Sequence, residues 1–172
     1  MNNLEGDRVG LIAFAGSSHL HCPLTEDYSA ARLFLNMMDT DLITTQGTNL
    51  AAAIKLALKH IEKDDEKYKV IVLVSDGEDH QGEVIDLSEQ VRDLGIIIHT
   101  LGVGTPAGGP IPIYDAQGNR QEFKKNSSGK IVTSTLNEFT LNEIANITGG
   151  IYLRIENQVN AITPLLKAIN QM

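Results

Sequence analysis

Short apolar runs alternate with stretches of helical spacing along most of this chain. Val9, Leu11, Ile12, Ala13 and Phe14 predict a strand over residues 7–15. Its near-continuous apolar character predicts cover on both faces. A turn at Gly16-Ser17-Ser18 leads to a short run over 19–22, which predicts an antiparallel return stopped by Pro23. Thr25 or Asp27 then caps a helix reaching about residue 38, with Tyr28, Ala31, Phe34, Leu35 and Met38 on one face. Thr48 or Asn49 caps the next helix, where Leu50, Ile54, Leu58 and Ile61 recur at helical spacing. The charged run over 63–67 ends it. Residues 70–74 read as a second buried strand. Val84, Leu87, Val91 and Leu94 mark a third helix closed by Gly95. Residues 96–101 form another buried strand. Thr140 and Glu143 have capping-box spacing at the start of a helix that ends at Gly149-Gly150. A strand over 151–155 follows, then a final helix carrying Val159, Ile162, Leu166 and Ile169. This alternation predicts an α/β fold with a mostly parallel sheet.

Residues 102–134 break the rhythm. They are rich in Gly, Pro and polar side chains, with turn signals at Gln117-Gly118-Asn119 and Ser127-Ser128-Gly129. Runs over 110–114, 120–124 and 130–134 can pair as small antiparallel strands. We read the region as a hairpin insertion, about 105–134, in one domain spanning 1–172. That length can bury a sizeable core.

The formal net charge of −8 argues against nucleic acid as a partner, since phosphate binding needs a basic surface. One cysteine, Cys22, excludes an internal disulfide and a zinc–cysteine cluster. No apolar stretch reaches the roughly 20 residues that span a bilayer.

Chemistry concentrates at two places. Ser75-Asp76-Gly77-Glu78-Asp79-His80 follows a strand directly, where open α/β sheets place their ligands. Gly47-Thr48-Asn49 opens a helix. A carboxylate and a hydroxyl are hard oxygen donors of the kind Mg²⁺ accepts. Each also has a plainer role: Asp76, Glu78 and Asp79 as acidic residues before a helix, Thr48 as an N-cap. Ser17 and Ser18 beside His19 and His21 are better read as a turn than as a nucleophile, because no Gly-x-Ser-x-Gly elbow is present. The Gly102–Gly108 stretch lacks phosphate-loop spacing and a following helix. His60 and His99 are expected on a helix surface and in a strand.

At Thr48 and Asp76 the chain resembles the von Willebrand factor A (vWA) family. That family's metal-ion-dependent adhesion site (MIDAS) draws on an Asp-x-Ser-x-Ser after the first strand, a Thr in a Gly-Thr loop and an Asp in a strand-end Asp-Gly. Thr48 matches the second element and Asp76 the third. No Asp-x-Ser-x-Ser occurs in the sequence. Its place in the family lies upstream of Gly6–Gly10, so the resemblance implies a domain lacking its first strand and first helix.

Further motifs resemble the bacterial aerotolerance (Bat) proteins, BatB and BatA among them. They include Gly6-Asp7-Arg8-Val9-Gly10, Pro23-Leu24-Thr25-Glu26-Asp27-Tyr28, Gly102-Val103-Gly104-Thr105-Pro106 and Pro110-Ile111-Pro112-Ile113-Tyr114-Asp115. The resemblance implies a Rossmann-like vWA domain, with sheet order 3-2-1-4-5-6 and helices on both faces. It implies a parent protein anchored in the inner membrane and facing the periplasm, linked to MoxR-type ATPases and envelope stress. This chain itself would be soluble. It implies protein binding without catalysis, through a partner carboxylate completing the shell of Mg²⁺ or Mn²⁺. Partners are then other proteins of the Bat complex. With only Thr48 and Asp76 present, the metal is expected to bind weakly or not at all. The family's first strand is central, between the strands at 7–15 and 70–74, so its absence leaves two facing edges unpaired. A homo-oligomer formed through that gap is expected. The alternatives are a metal-dependent α/β hydrolase using Asp76 and Glu78, and a purely structural assembly domain.

Overall fold

The structure is a computed structural model of the chain. It describes residues 6–40, 42–45, 47–61, 68–79, 82–115, 117–126, 128–155 and 162–172. The charge run at 63–67, His80 and Val159 lie outside the described residues.

Strand β1 (Val9–Phe14) pairs antiparallel with β2 (Ser18–Thr25). The second strand does not stop at Pro23. Val9 pairs with Thr25 and Leu11 with Cys22, so one extra residue bulges out between them. Proline is tolerated at such an irregularity on an edge strand, where its missing N–H breaks no ladder bond. Helix α1 (Tyr28–Asn36) is capped by Asp27, whose carboxylate accepts from the Ser29 and Ala30 amides at 3.0 and 2.9 Å. Of the face expected to pack, only Ala31 is buried; Phe34 and Leu35 are exposed.

Helix α2 (Leu50–His60) buries Leu50, Ala51, Ala53 and Ile54. Strand β3 (Val70–Ser75), helix α3 (Val84–Asp93) and strand β4 (Ile97–Val103) follow. The segment expected as a hairpin insertion holds β5 (Gly109–Pro110), β6 (Pro112–Tyr114), β7 (Arg120–Phe123) and β8 (Thr133–Ser134). β5 pairs with β8 and β6 with β7, all antiparallel.

Helix α4 (Glu138–Thr148) starts earlier than its capping-box spacing suggests. Asn137 is the cap, accepting from the Thr140 amide at 3.3 Å, so Thr140 sits inside the first turn. Gly149 ends the helix at φ +75°, the left-handed conformation glycine permits. Strand β9 (Tyr152–Ile155) and helix α5 (Thr163–Ile169) complete the chain.

β3, β4 and β9 form a parallel sheet in that order. Among the described residues no ladder joins β1 to β3, so the β1–β2 pair and the β3–β4–β9 sheet are separate. Helix α2 bridges them: it packs on β1 and β2 and touches α3. One core cluster includes Leu50, Ala51 and Ile54 of α2, Leu73 of β3 and Val84 of α3, with Phe14 of β1 packed against it.

The expectation of a buried strand over 70–74 holds on one face of β3 only. Leu73 is buried in the core, whereas Val72 and Val74 are 41% and 48% exposed. Side chains alternate along a strand, so these two valines occupy the face away from that core. His99, paired in register with Val72, is 2% exposed. Leu94, expected on the packed face of α3, is also exposed.

Candidate metal centre

Asp76 follows the last residue of β3 directly and is half-buried. Its backbone carbonyl accepts from the Asn137 amide at 2.7 Å. Of its carboxylate oxygens, Oδ1 accepts from the Glu78 amide at 3.2 Å and stands 3.5 Å from the Ser75 hydroxyl. Oδ2 accepts from the Ser134 hydroxyl at 2.8 Å. A carboxylate oxygen offers two lone-pair directions, so Oδ2 keeps one open.

Gly77 is required by this arrangement. It adopts φ +74°, and an added Cβ would overlap the Asn137 carbonyl and crowd Leu141. The Asp-Gly pair therefore serves two ends. Aspartate supplies the carboxylate, and glycine lets the loop lie flat against the start of α4.

None of Asp76, Glu78 and Asp79 is the N-cap of α3. Helix α3 begins after Glu83 without a side-chain cap. Glu78 instead accepts from the Thr135 amide at 3.2 Å, and Asp79 from the Gly82 amide at 3.0 Å. These carboxylates organise a loop.

Thr48 precedes α2 and is half-buried. The cap is its neighbour Asn49, whose Oδ1 accepts from the Ala52 amide at 2.8 Å. The loop is fastened to the end of β1: the Asn49 amide donates to the Ala15 carbonyl at 2.9 Å, and Gly16 to the Thr45 carbonyl at 3.1 Å. The Thr48 loop is thus tied to the end of β1, and Asp76 directly follows the end of β3. No hydrogen bond joins them among the described residues.

The donors fit a hard divalent cation in kind, with one carboxylate oxygen and one hydroxyl. In number they are two of the six positions Mg²⁺ requires. Among the described residues no group of three His, Cys, Asp or Glu is arranged to hold a metal.

Ser134 and Thr135 are the site residues that the sequence did not single out. Ser134 ends the Gly- and Pro-rich segment, where its local signal is the strand run at 130–134, and Thr135 follows directly. Ser17 lies in the β1–β2 turn and His19 at the start of β2, with Oγ and Nε2 3.4 Å apart. His21 donates through Nε2 to the Phe34 carbonyl at 2.8 Å and so fastens α1. His60 is exposed on α2 and His99 buried in β4, as their positions predicted.

A parallel sheet with ligand candidates at its strand ends defines the class. The chain belongs to the von Willebrand factor type A domain family, whose model matches residues 1–153. Within that class it is similar to bacterial aerotolerance proteins. BatB from Bacteroides thetaiotaomicron superposes with a TM-score of 0.91 at 32% identity, over 99% of this chain and 81% of that one. An aerotolerance-related membrane protein from Bacteroides fragilis gives 0.83 at 37% identity, over 98% of this chain and 81% of that one. An uncharacterized protein of Borreliella burgdorferi is 28% identical over 165 residues. The chain covers 43% of that curated relative, less than half its length. A vWA domain of the Bat type is, in general terms, a protein-interaction module. Among the described residues no helix is long and apolar enough to cross a membrane.

Proposed function

We propose that this domain binds other proteins through a divalent metal, Mg²⁺ or Mn²⁺, held by Thr48 and Asp76. An acidic side chain of the partner would complete the metal's shell. The observation that carries this reading is the Asp76 carboxylate at the end of β3, with one direction of Oδ2 uncommitted. A second supports it: Asn49 takes the capping role, which leaves the Thr48 hydroxyl free of that duty. When bound, the cation supplies Lewis acidity toward an incoming carboxylate. Thr48 and Asp76 would orient it, and water would fill the remaining positions.

The similarity to an aerotolerance-related membrane protein supports a setting at the cell envelope. We place the parent protein in the inner membrane with this domain facing the periplasm, in a stress-tolerance complex of Bat proteins linked to a MoxR-type ATPase. The domain has a binding role and no catalytic one. A second copy of the chain is the further partner we assign, at the open edges of β1 and β3.

The test is a Bat-complex pull-down with the parent protein, in Mg²⁺ and in chelator. Capture that needs Mg²⁺ and is lost in Asp76→Ala supports metal-dependent binding. Equal capture in all conditions would favour a purely structural assembly role.

A further inference from the structure

Four consecutive residues, 134 to 137, tie the loop at Asp76 to the segment after β4 and to the start of α4. The Ser134 hydroxyl donates to Asp76 Oδ2 at 2.8 Å. The Thr135 amide donates to Glu78 Oε1 at 3.2 Å. The Leu136 amide donates to the Thr105 carbonyl at 3.1 Å, just beyond β4, and the Asn137 amide to the Asp76 carbonyl at 2.7 Å. Asn137 also caps α4. Ser134 is at the same time the last residue of β8, in register with Gly109 of β5. Behind that pair stands a continuous ladder. The Ile111 amide donates to the Val132 carbonyl at 3.1 Å, Val132 to Lys124 at 2.8 Å and Lys124 to Ile111 at 2.8 Å.

We propose that Ser134 is a positioning residue for Asp76, and that through it cation capture by Asp76 and the order of the 109–134 hairpin are coupled. The inference rests on the reading of Asp76 as a metal ligand. A carboxylate at a strand end turns freely about its Cβ–Cγ bond unless both oxygens are held. The Glu78 amide holds Oδ1 only at 3.2 Å, so the shorter Ser134 bond fixes the plane. It leaves Oδ2 with one lone-pair direction that a cation could use. Hydrogen bonds to a ligating carboxylate orient it, and their loss weakens metal binding by about tenfold or more. The coupling is reciprocal: a metal that favours the held carboxylate also favours the held hairpin. The hairpin carries exposed Ile113, Tyr114 and Ile131, so a change in its order would be felt at an apolar surface.

The experiment is amide hydrogen exchange by NMR on the full 172-residue chain, as wild type, Ser134→Ala and Ser134→Thr. Each is measured without metal and with Mg²⁺ titrated into the millimolar range. Without metal, Ser134→Ala should speed exchange at Asn137 and Val132 by about tenfold, and Ser134→Thr should restore it. Asp76→Ala should produce the same acceleration, with no further change in the double variant. With Mg²⁺, exchange at Ile111 and Val132 should slow in wild type and Ser134→Thr but not in Ser134→Ala. The Ser134→Ala variant should also bind Mn²⁺, read by electron paramagnetic resonance, about tenfold more weakly. Unchanged exchange in Ser134→Ala, or additive effects of the two substitutions, would overturn the proposal. So would a Mg²⁺ response at Asp76 that leaves the hairpin amides unmoved. If the metal-free coupling holds and Mg²⁺ shifts no Asp76 resonance, the metal-ligand reading fails while the Ser134–Asp76 link stands.

Discussion

Gly77 and the Asn137 carbonyl lie so close that no side chain fits between them. The contact joins the loop after β3 to the cap of α4, 60 residues further along the chain. Gly77→Ala combines a left-handed backbone conformation with direct overlap. We expect a loss of about 2–4 kcal/mol in unfolding free energy, measured by urea denaturation with circular dichroism. A loss within about 0.5 kcal/mol, the range of ordinary surface substitutions, would mean that the loop does not rest on Asn137.

His99 gives the domain a pH dependence. Its Nδ1 accepts from the Ile151 amide at 3.0 Å, and its buried Nε2 has no hydrogen-bond partner among the described residues. Burial holds its pKa below the ordinary 6.5. A folded-state pKa depressed below the unfolded one means that the unfolded chain binds the proton more readily. The stability contribution is therefore complete above about pH 6.5 and is lost as pH falls through the folded-state value. The slope reaches at most about 1.4 kcal/mol per pH unit for one proton. Urea midpoints between pH 7 and pH 5 should fall for the wild type and fall less for His99→Gln. Parallel slopes would assign the pH dependence to other groups.

The break between β1 and β3 predicts self-association. Each strand pairs on one edge only among the described residues. Backbone donors and acceptors on the other edge need partners. Val72 and Val74 add exposed apolar surface to β3. Light scattering should show a dimer or larger species growing with concentration, and Val72→Lys should shift it toward monomer. A monomer at high concentration, with β1 and β3 paired in the same chain, would contradict this.

The strands and helices were legible because apolar spacing and punctuation agree over most of the chain. Asp27 as a cap and Gly149 as a terminator are local features that any window of a few residues reveals. Asp76 and Thr48 were legible as a pair only through resemblance, since each alone has a common capping role. What could not be read was contact over distance. Ser134 meets Asp76 across 58 positions, by way of a hairpin whose path no local pattern encodes. The exposure of Val72 and Val74 was hidden for a similar reason. Five apolar residues in a row look buried on both faces, but cover depends on what packs there. At Thr140 the capping-box spacing misled because Asn137, three residues earlier, satisfies the same helix end.

The most direct test of the account is a Mg²⁺ titration of the isotope-labelled chain followed by NMR. We predict that amides at Thr48–Asn49 and at Asp76–Gly77 shift together along one weak isotherm, and that Asp76→Ala abolishes both responses. Two monodentate ligands cannot hold Mg²⁺ tightly against water, so the affinity should be far weaker than micromolar. Shifts at Asp76 without any at Thr48, or at neither, would contradict a shared metal. So would micromolar affinity, which needs ligands beyond these two.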